Sequence, residues 1–424
     1  MRARWHGPRW AVIVLVLIGV AAGLAGISLL PVVSHAAAQA RVLPVTDPTA
    51  LPRLQFDDLK YLGAFRLPAV EANGDSFSFG GGPLAFNPAR RTLFAGTRGG
   101  KVAEITIPTP VASADIASLP FAEIVQPFAD PTEGRMADVG NEAGLAGLLV
   151  YHDRLYGTGL IYYDANNTQR VSHFGRPLTL AQSGAGPMQR VGETGRSGYV
   201  AGYLALVPPE WQSRLGGVAL TGQCCVPIIT RTSWGPAAFV WNPAELAQAT
   251  PLNATPLVYY DSEHPTLGGF EDSGPMYGGT TLVAGLAVIN GTRTALFVGS
   301  NGRGPFCYGN GTADKALANT VGPDGAKYCY DPATSDKGQH AYPYDYQVWA
   351  YDLADWAEVR AGRKRPWDVK PYAVWPFELP IPEPTTRIIG VAFDPERRQL
   401  FVSQRLADRD GYAFRALIHV FRIV

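Results

Sequence analysis

The chain has 424 residues with 36 basic and 36 acidic side chains, so its formal net charge is zero at pH 7. This balance argues against a nucleic-acid partner, which would require a strongly basic surface. The 47 glycines and 35 prolines predict many turns. The roughly 370 residues after the N-terminal segment exceed one ordinary hydrophobic core unless the architecture is repetitive.

An export signal is predicted at the N-terminus. Arg2, Arg4 and Arg9 precede an uncharged apolar run over residues 11–30, and residues 36–40 offer small side chains for cleavage. The run is longer than a usual signal core, so it could instead remain as a membrane anchor. We therefore assign residues 1–40 to a signal peptide or anchor and 41–55 to a Pro-rich linker. The following domain is expected outside the cytoplasm, secreted or periplasmic, with the membrane reached only through this segment.

A repeated segment predicts the fold of the remaining chain. Residues 83–96 have the sequence Pro-Leu-Ala-Phe-Asn-Pro-Ala-Arg-Arg-Thr-Leu-Phe-Ala-Gly, and residues 390–403 have Gly-Val-Ala-Phe-Asp-Pro-Glu-Arg-Arg-Gln-Leu-Phe-Val-Ser. Each copy joins two short apolar runs through an Asx-Pro turn, which is typical of two antiparallel strands. Self-similarity without a gap indicates a repeat fold.

Five such strand pairs are predicted along the chain. The inner strands are at residues 83–86, 146–151, 202–207, 282–289 and 389–393, and their partners are at 92–96, 154–159, 218–222, 295–300 and 399–403. A third strand, a short helical piece and a fourth strand follow at 102–128, 238–260 and 348–377. Four strands per unit is the composition of a β-propeller blade. Residues 301–346 are predicted to be an insertion.

The chain ends on a third strand, residues 416–424, with no fourth strand left. Residues 59–67 could supply it, which would close the ring and remove exposed sheet edges. We therefore predict an all-β, five-bladed β-propeller over residues 56–424. Six blades are the alternative if residues 196–236 contain another. The resemblance to β-propellers is architectural and names no family.

Arginines are predicted around one mouth of the central channel. In a β-propeller, the loops entering the inner strands and those joining second to third strands crowd there, and a functional site is expected among them. Guanidinium groups bind carboxylates bidentately, which suits an anionic or carbohydrate ligand. The candidate ligand-binding residues are Arg98, Arg135, Asp164, Arg196, Trp234, Arg303, Arg387 and Arg405. The alternative is that each arginine pairs with a neighbouring carboxylate and joins adjacent blades.

Aromatic side chains near the same mouth would suit stacking on a sugar ring, or else simply pack the loops. They are Trp234, Tyr199, Tyr277, Tyr344 and Tyr346. Five-bladed glycoside hydrolases resemble this outline and carry acids at the starts of inner strands. The resemblance implies Glu142 and Asp272 as general acid and base or nucleophile. The chain departs from that pattern because Gly82-Pro83, Tyr199, Gly279 and Gly390 occupy comparable strand entrances.

Three functions remain open from the sequence. The leading one is binding of a small molecule or glycan in the central funnel, the second is a glycan-directed hydrolase or lyase, and the third is a structural or interaction scaffold. The histidines have no metal-ligand spacing, so no metal site is predicted. No cofactor is identified, because phosphate-cradling and dinucleotide motifs are missing from the sequence.

Four cysteines allow three disulfide connectivities. Cys224 and Cys225 are adjacent, and Cys307 and Cys329 lie within the insertion. The favoured pairing joins Cys307 to Cys329, because it closes a local loop, and leaves a vicinal bridge between Cys224 and Cys225. The crossed pairings would instead tie the insertion to the preceding blade.

Overall fold

The computed structural model describes residues 47–424, except 70–73, 194, 225–227, 229–230, 249–250, 262, 266, 273–275 and 384. The predicted signal or anchor, residues 41–46 of the predicted linker and Cys225 lie outside these described residues. Most strands belong to four-stranded antiparallel sheets that follow one another along the chain, consistent with a propeller-like all-β fold. No described helix is both long and apolar enough to cross a bilayer.

The first strand, β1 (Leu59–Arg66), pairs with the end of the chain and not with its successor. The first complete sheet follows, with strands in the order β2 (Leu84–Asn87), β3 (Thr92–Gly96), β4 (Val102–Ile105) and β5 (Ile124–Ala129). These strands match the predicted unit, since short apolar runs end at turn residues.

The second sheet has three strands, β6 (Ala143–Tyr151), β7 (Arg154–Ile161) and β8 (His173–Pro177). Its outer edge is covered by an irregular segment, in which the Gln189 N–H donates to the His173 carbonyl at 2.7 Å and the Gly186 N–H to the Gly175 carbonyl at 3.0 Å. This irregular segment therefore takes the place of a fourth strand.

The third sheet contains β9 (Leu204–Leu206), β10 (Ala219–Thr221), β11 (Ala238–Trp241) and β12 (Thr255–Val258). A helix that the sequence analysis did not predict, α1 (Pro209–Leu215), lies between its first two strands. The described part of residues 196–236 contains α1 and these two strands and no additional sheet.

The fourth sheet begins with β13 (Leu282–Val288) and β14 (Thr294–Gly302). The predicted insertion follows and forms a separate three-stranded sheet from β15 (Cys307–Thr312), β16 (Tyr328–Tyr330) and β17 (Lys337–His340). The chain then returns through β18 (Tyr344–Asp352), α2 (Leu353–Arg360) and β19 (Ala373–Phe377).

The favoured disulfide Cys307–Cys329 is confirmed within the insertion, which excludes both crossed pairings. Cys224 is also disulfide-bonded. The vicinal bridge stays a prediction, because Cys225 lies outside the described residues. A disulfide is typical of proteins in an oxidising environment outside the cytoplasm.

The last sheet contains β20 (Ile388–Asp394), β21 (Gln399–Asp410) and β22 (Ala413–Ile423), and β1 is its outer strand. Tyr61 lies opposite Phe421 and Phe65 opposite Ile418 in the antiparallel register. The predicted pairing between the two ends of the chain is therefore present.

A buried polar network joins the strands of the last sheet. The Tyr61 hydroxyl lies 3.0 Å from His419 Nδ1, and His419 Nε2 lies 2.8 Å from Gln404 Oε1. Because the amide oxygen can only accept, Nε2 carries the proton and Nδ1 accepts from the tyrosine. The ring is neutral in this arrangement, and burial lowers the pKa of His419 to about 3.

Apart from the sheet of the insertion, the first strands of the sheets contact one another in chain order: β2 with β6, β6 with β9, β9 with β13, β13 with β20, and β20 with β2, where β20 is the first strand of the last sheet after β1. At two glycines the backbones of neighbouring sheets approach so closely that a side chain would not fit. A Cβ on Gly82 would lie 1.9 Å from the Ile389 carbonyl oxygen, and one on Gly147 would lie 2.1 Å from the Gly202 carbonyl oxygen. Glycine is required at these contacts for space.

Replacement of Gly147 by alanine should destabilise the fold, because the added methyl group forces two sheets apart. Overpacking of this kind costs roughly 1–3 kcal/mol. Gly144→Ala is a matched control in the same strand, since its Cβ would have no heavy atom within 4 Å. Thermal unfolding followed by circular dichroism should show a lower Tm for Gly147→Ala alone. Equal Tm values for the two variants would contradict the close contact between β6 and the third sheet.

His419 should make the fold sensitive to acid. The unfolded chain binds a proton near the ordinary pKa of 6.5, whereas the folded chain does not until about pH 3. The contribution of the neutral His419 to the free energy of unfolding is therefore fully present above pH 6.5. It falls by up to about 1.4 kcal/mol per pH unit as the pH is lowered below that value.

The variant His419→Gln keeps a donor and an acceptor but cannot titrate, so its stability should fall less between pH 7 and pH 4 than that of the wild type. Urea unfolding at each pH measures this slope. His152→Gln is the control, because the His152 side chain is exposed. A slope for His419→Gln equal to that of the wild type would disprove the assignment.

Candidate functional site

Three arginines from the first and last sheets meet at one mouth of the structure. Arg98 follows β3, Arg387 immediately precedes β20, and Arg405 lies in the part of β21 that extends beyond β20. The Arg405 N–H donates to the Arg387 carbonyl at 2.9 Å, which fixes the two residues side by side. We call Arg98, Arg387 and Arg405 the arginine cluster.

The charges of the other two arginines act on Arg405. Burial lowers the pKa of Arg405, and the positive charge of Arg387 and that of Arg98 lower it further. Glu383 and Asp336 act in the opposite direction without reversing the shift. An arginine remains protonated even so, which makes the neighbourhood electropositive.

The guanidinium groups of the cluster are not used by the protein. Among the described residues, none of the three forms an ion pair or donates a side-chain hydrogen bond to another residue. Arg98 instead lies over the ring of Phe79, with 5.5 Å between the guanidinium carbon and the ring centroid. The cluster therefore retains donors for a ligand.

Backbone strain surrounds the cluster. Thr386 directly precedes Arg387 and has φ of 48°, Leu406 directly follows Arg405 and has φ of 56°, and Phe79 has φ of 60°. Non-glycine residues in this left-handed region cost about 1–3 kcal/mol each, and they concentrate at functional sites.

Glu383, in the connection between β19 and β20, is the carboxylate whose charge acts most strongly on Arg405. It is 95% buried, because only 5% of its surface is exposed. Its Oε2 accepts a hydrogen bond from the Thr385 hydroxyl at 2.5 Å, while Oε1 has no hydrogen-bond partner. Glu383 compensates part of the positive charge of Arg405 without forming a direct ion pair with it.

The insertion contributes Asp336, the second carboxylate whose charge acts on Arg405. His340 Nε2 lies 3.1 Å from the Asp336 carbonyl oxygen, and His340 Nδ1 lies 2.8 Å from Asp331 Oδ2. Burial raises the pKa of Asp331, but hydrogen bonds from His340, Tyr344 and the Ala333 N–H lower it more, so that it lies below its ordinary value. This network holds the loop that brings Asp336 close to Arg405.

Two other candidate arginines have protein partners. Arg196 lies 2.8 Å from Asp261 and 3.4 Å from Glu193, and its guanidinium packs over Tyr199 and Tyr259. Arg303 lies 3.5 Å from Asp345. These arrangements match the alternative in which arginines join loops and do not bind a ligand.

The remaining candidates occupy different settings. Arg135 is exposed on a short 3-10 helix, Arg135–Asp138. Asp164 accepts three hydrogen bonds within its own loop, from the Thr168 N–H, the Thr168 hydroxyl and the Gln169 N–H. Trp234 is buried, and its indole N–H donates to the Gly268 carbonyl at 2.9 Å.

Most of the predicted stacking residues are also buried, namely Tyr199, Tyr277 and Tyr346, while Tyr344 is half-buried. The aromatic surface that the sequence analysis missed is Phe79, which is 39% exposed and packs at 5.4 Å on Phe414. Glu383 was missed too. Its only sequence signal is its place in the Pro-rich run ahead of β20.

The two candidate catalytic carboxylates come from different sheets. Glu142 precedes β6 of the second sheet and Asp272 precedes β13 of the fourth, and both are exposed. Asp272 accepts a hydrogen bond from the Gly269 N–H at 2.6 Å within its own turn. No described hydrogen bond joins the two carboxylates.

Two apolar grooves among the described residues have linings that include none of the three arginines of the cluster. One of about 440 Å³ is lined by Pro68, Phe121 and Phe128, and one of about 360 Å³ by Tyr151, Tyr156 and Pro243. Both are predominantly apolar grooves.

Comparison with known proteins identifies no family. No protein-family model matches the chain, and no characterised protein sequence matches it. Solved structures that resemble it include a luciferin-regenerating enzyme, with a TM-score of 0.36 and 9% identity over 86% of this chain and 94% of that one. A chain of the mitotic checkpoint complex has a TM-score of 0.25 and 12% identity over 81% and 61%. Similarity at this level carries no functional argument.

Proposed function

We propose that residues 56–424 form an exported five-bladed β-propeller that binds an anionic ligand at one mouth through Arg98, Arg387 and Arg405. The cyclic order of inner-strand contacts supports five blades, and the pairing of β1 with β22 supports closure of the ring. The Cys307–Cys329 disulfide and the apolar N-terminal segment support export.

The observation that carries the binding function is that the charges of Arg387 and Arg98 act on Arg405, and that none of the three guanidinium groups has an ion-pair partner among the described residues. Like charges gathered at one place repel, so the arrangement costs stability unless an anion relieves it. Two other arginines of the last sheet, one half-buried and one buried, are neutralised at Asp408, whose carboxylate accepts from both Arg66 and Arg415.

A carboxylate or a similar oxyanion fits this site best. The planar guanidinium fork donates two parallel hydrogen bonds to such a group. Arg98 over Phe79 adds an apolar surface beside the charge, which would suit an organic anion better than a bare ion. No reaction is assigned to the site, because the candidate carboxylates Glu142 and Asp272 belong to other sheets.

Arg405→Ala and Arg387→Ala should each weaken binding of D-glucuronate by roughly tenfold to a hundredfold, since a hydrogen bond to a charged group contributes about 1.5–3 kcal/mol. Isothermal titration calorimetry measures the change in Kd. Affinity of the wild type should also fall with added salt, because the attraction is screened.

Arg196→Ala is the matched control, since its guanidinium is already paired with Asp261 and Glu193. It should leave the Kd for D-glucuronate unchanged, and D-glucose should not bind measurably. A wild-type protein that binds neither D-glucuronate nor sulfate would refute the function. Equal losses in Arg196→Ala and Arg405→Ala would show that the cluster is not the site.

A further inference from the structure

The exposed tyrosines among the described residues all lie in the same kind of loop. Tyr162, Tyr163, Tyr308 and Tyr412 are 57%, 71%, 60% and 97% exposed, respectively. All four lie in connections between the second and third strands of a sheet: β7 to β8, β14 to β18 and β21 to β22. Arg98 lies in the same class of connection, between β3 and β4, and Arg405 lies in the end of β21 that leads into the β21–β22 connection, which places the tyrosines on the face of the arginine cluster.

The loops that carry these tyrosines are held by specific bonds. Asp164 fastens the loop after Tyr163 through its three local hydrogen bonds, and Arg231 Nε donates to the Ala165 carbonyl at 3.1 Å from the neighbouring sheet. Tyr308 directly follows the disulfide-bonded Cys307. Aromatic surfaces fixed in advance lose little conformational entropy on binding.

Tyr412 lies at the tip of the β21–β22 hairpin and is 97% exposed. The hairpin below it is held by the buried Asp408, which accepts from Arg66 at 2.9 Å and from Arg415 at 3.1 Å. The hairpin is the direct continuation of the strand segment that carries Arg405. A ligand at Arg405 that extends along the hairpin would therefore reach Tyr412.

We infer that the ligand is an acidic glycan chain, in which one uronate carboxylate binds the arginine cluster and neighbouring sugars stack on the exposed tyrosines. This inference rests on the proposed function and names its ligand class. A tyrosine ring presents an apolar face to a pyranose while its hydroxyl stays in water. The arginine cluster alone would bind a single anion, whereas the tyrosines extend the contact surface to several sugar units.

The charges beside the tyrosines favour a glycan over a lipid surface. Asp164 directly follows Tyr163, and Asp410, which is 66% exposed, lies two residues before Tyr412. Carboxylates at the points of contact would repel the phosphates of an anionic bilayer, which present negative charge over the whole surface. A uronate chain can instead turn its own carboxylates away from these side chains and donate hydrogen bonds to them from its hydroxyl groups.

The test compares galacturonate with tetragalacturonate as ligands of the exported chain, by calorimetry. The wild type should bind the tetramer roughly tenfold or more tightly than the monomer, because stacking adds contacts. The double variant Tyr163→Ser and Tyr412→Ser should keep the monomer Kd within about twofold and lose most of the chain-length gain. Val125→Ser, an exposed apolar residue of β5, is the control and should keep the gain.

The outcomes separate this inference from the proposed function. Monomer binding that depends on Arg405, with no gain for the tetramer, would overturn the glycan chain and leave the anion site intact. A gain that persists in the tyrosine double variant would overturn the role of the tyrosines. If the protein sedimented with phosphatidylglycerol vesicles only when the tyrosines were present, and bound tetragalacturonate no more tightly than galacturonate, the partner would be a membrane and not a glycan. Failure of both sugars to bind would contradict the site and the inference together.

Discussion

The pairing of β1 with β22 is the interaction on which the rest of the structure depends. It fills the outer edge of the last sheet with a strand from the other end of the chain, and the Tyr61, His419 and Gln404 network binds that strand through buried hydrogen bonds. Gln404 directly precedes Arg405, so the same network fixes the position of the candidate site. Because Arg98 follows β3 of the first sheet and Arg405 lies in β21 of the last, the candidate site depends on the contact between these two sheets.

Two groups of arginines near the contact between the first and last sheets differ in their partners. Arg66 and Arg415 share the buried carboxylate of Asp408, and Arg91 pairs with Asp394 across the contact between the first and last sheets. Such pairs fix the register of neighbouring sheets, although a buried pair is weak evidence for net stability. The arginine cluster has no equivalent partners, and strained residues flank it. A structural role explains the first group and leaves the second unexplained.

Much of the fold could be predicted because strand signals are local. The gapless match of residues 83–96 to 390–403 located β2, β3, β20 and β21, and the unpaired last strand indicated the role of residues 59–67. The site was less predictable, because Arg196 and Arg387 are the same residue type in comparable loops. The structure distinguishes them by their partners, because Arg196 lies 2.8 Å from Asp261. Glu383 was missed because its relation to Arg405 arises from folding and not from spacing.

The central claim is that the arginine cluster is an anion site formed by the first and last sheets. The most direct measurement is a crystal structure of the protein soaked in selenate, whose anomalous scattering locates the anion without ambiguity. The account predicts selenate bound by the guanidinium groups of Arg387 and Arg405, with Arg98 beside it. Guanidinium groups paired instead with protein carboxylates such as Glu383, and no selenate between them, would contradict it.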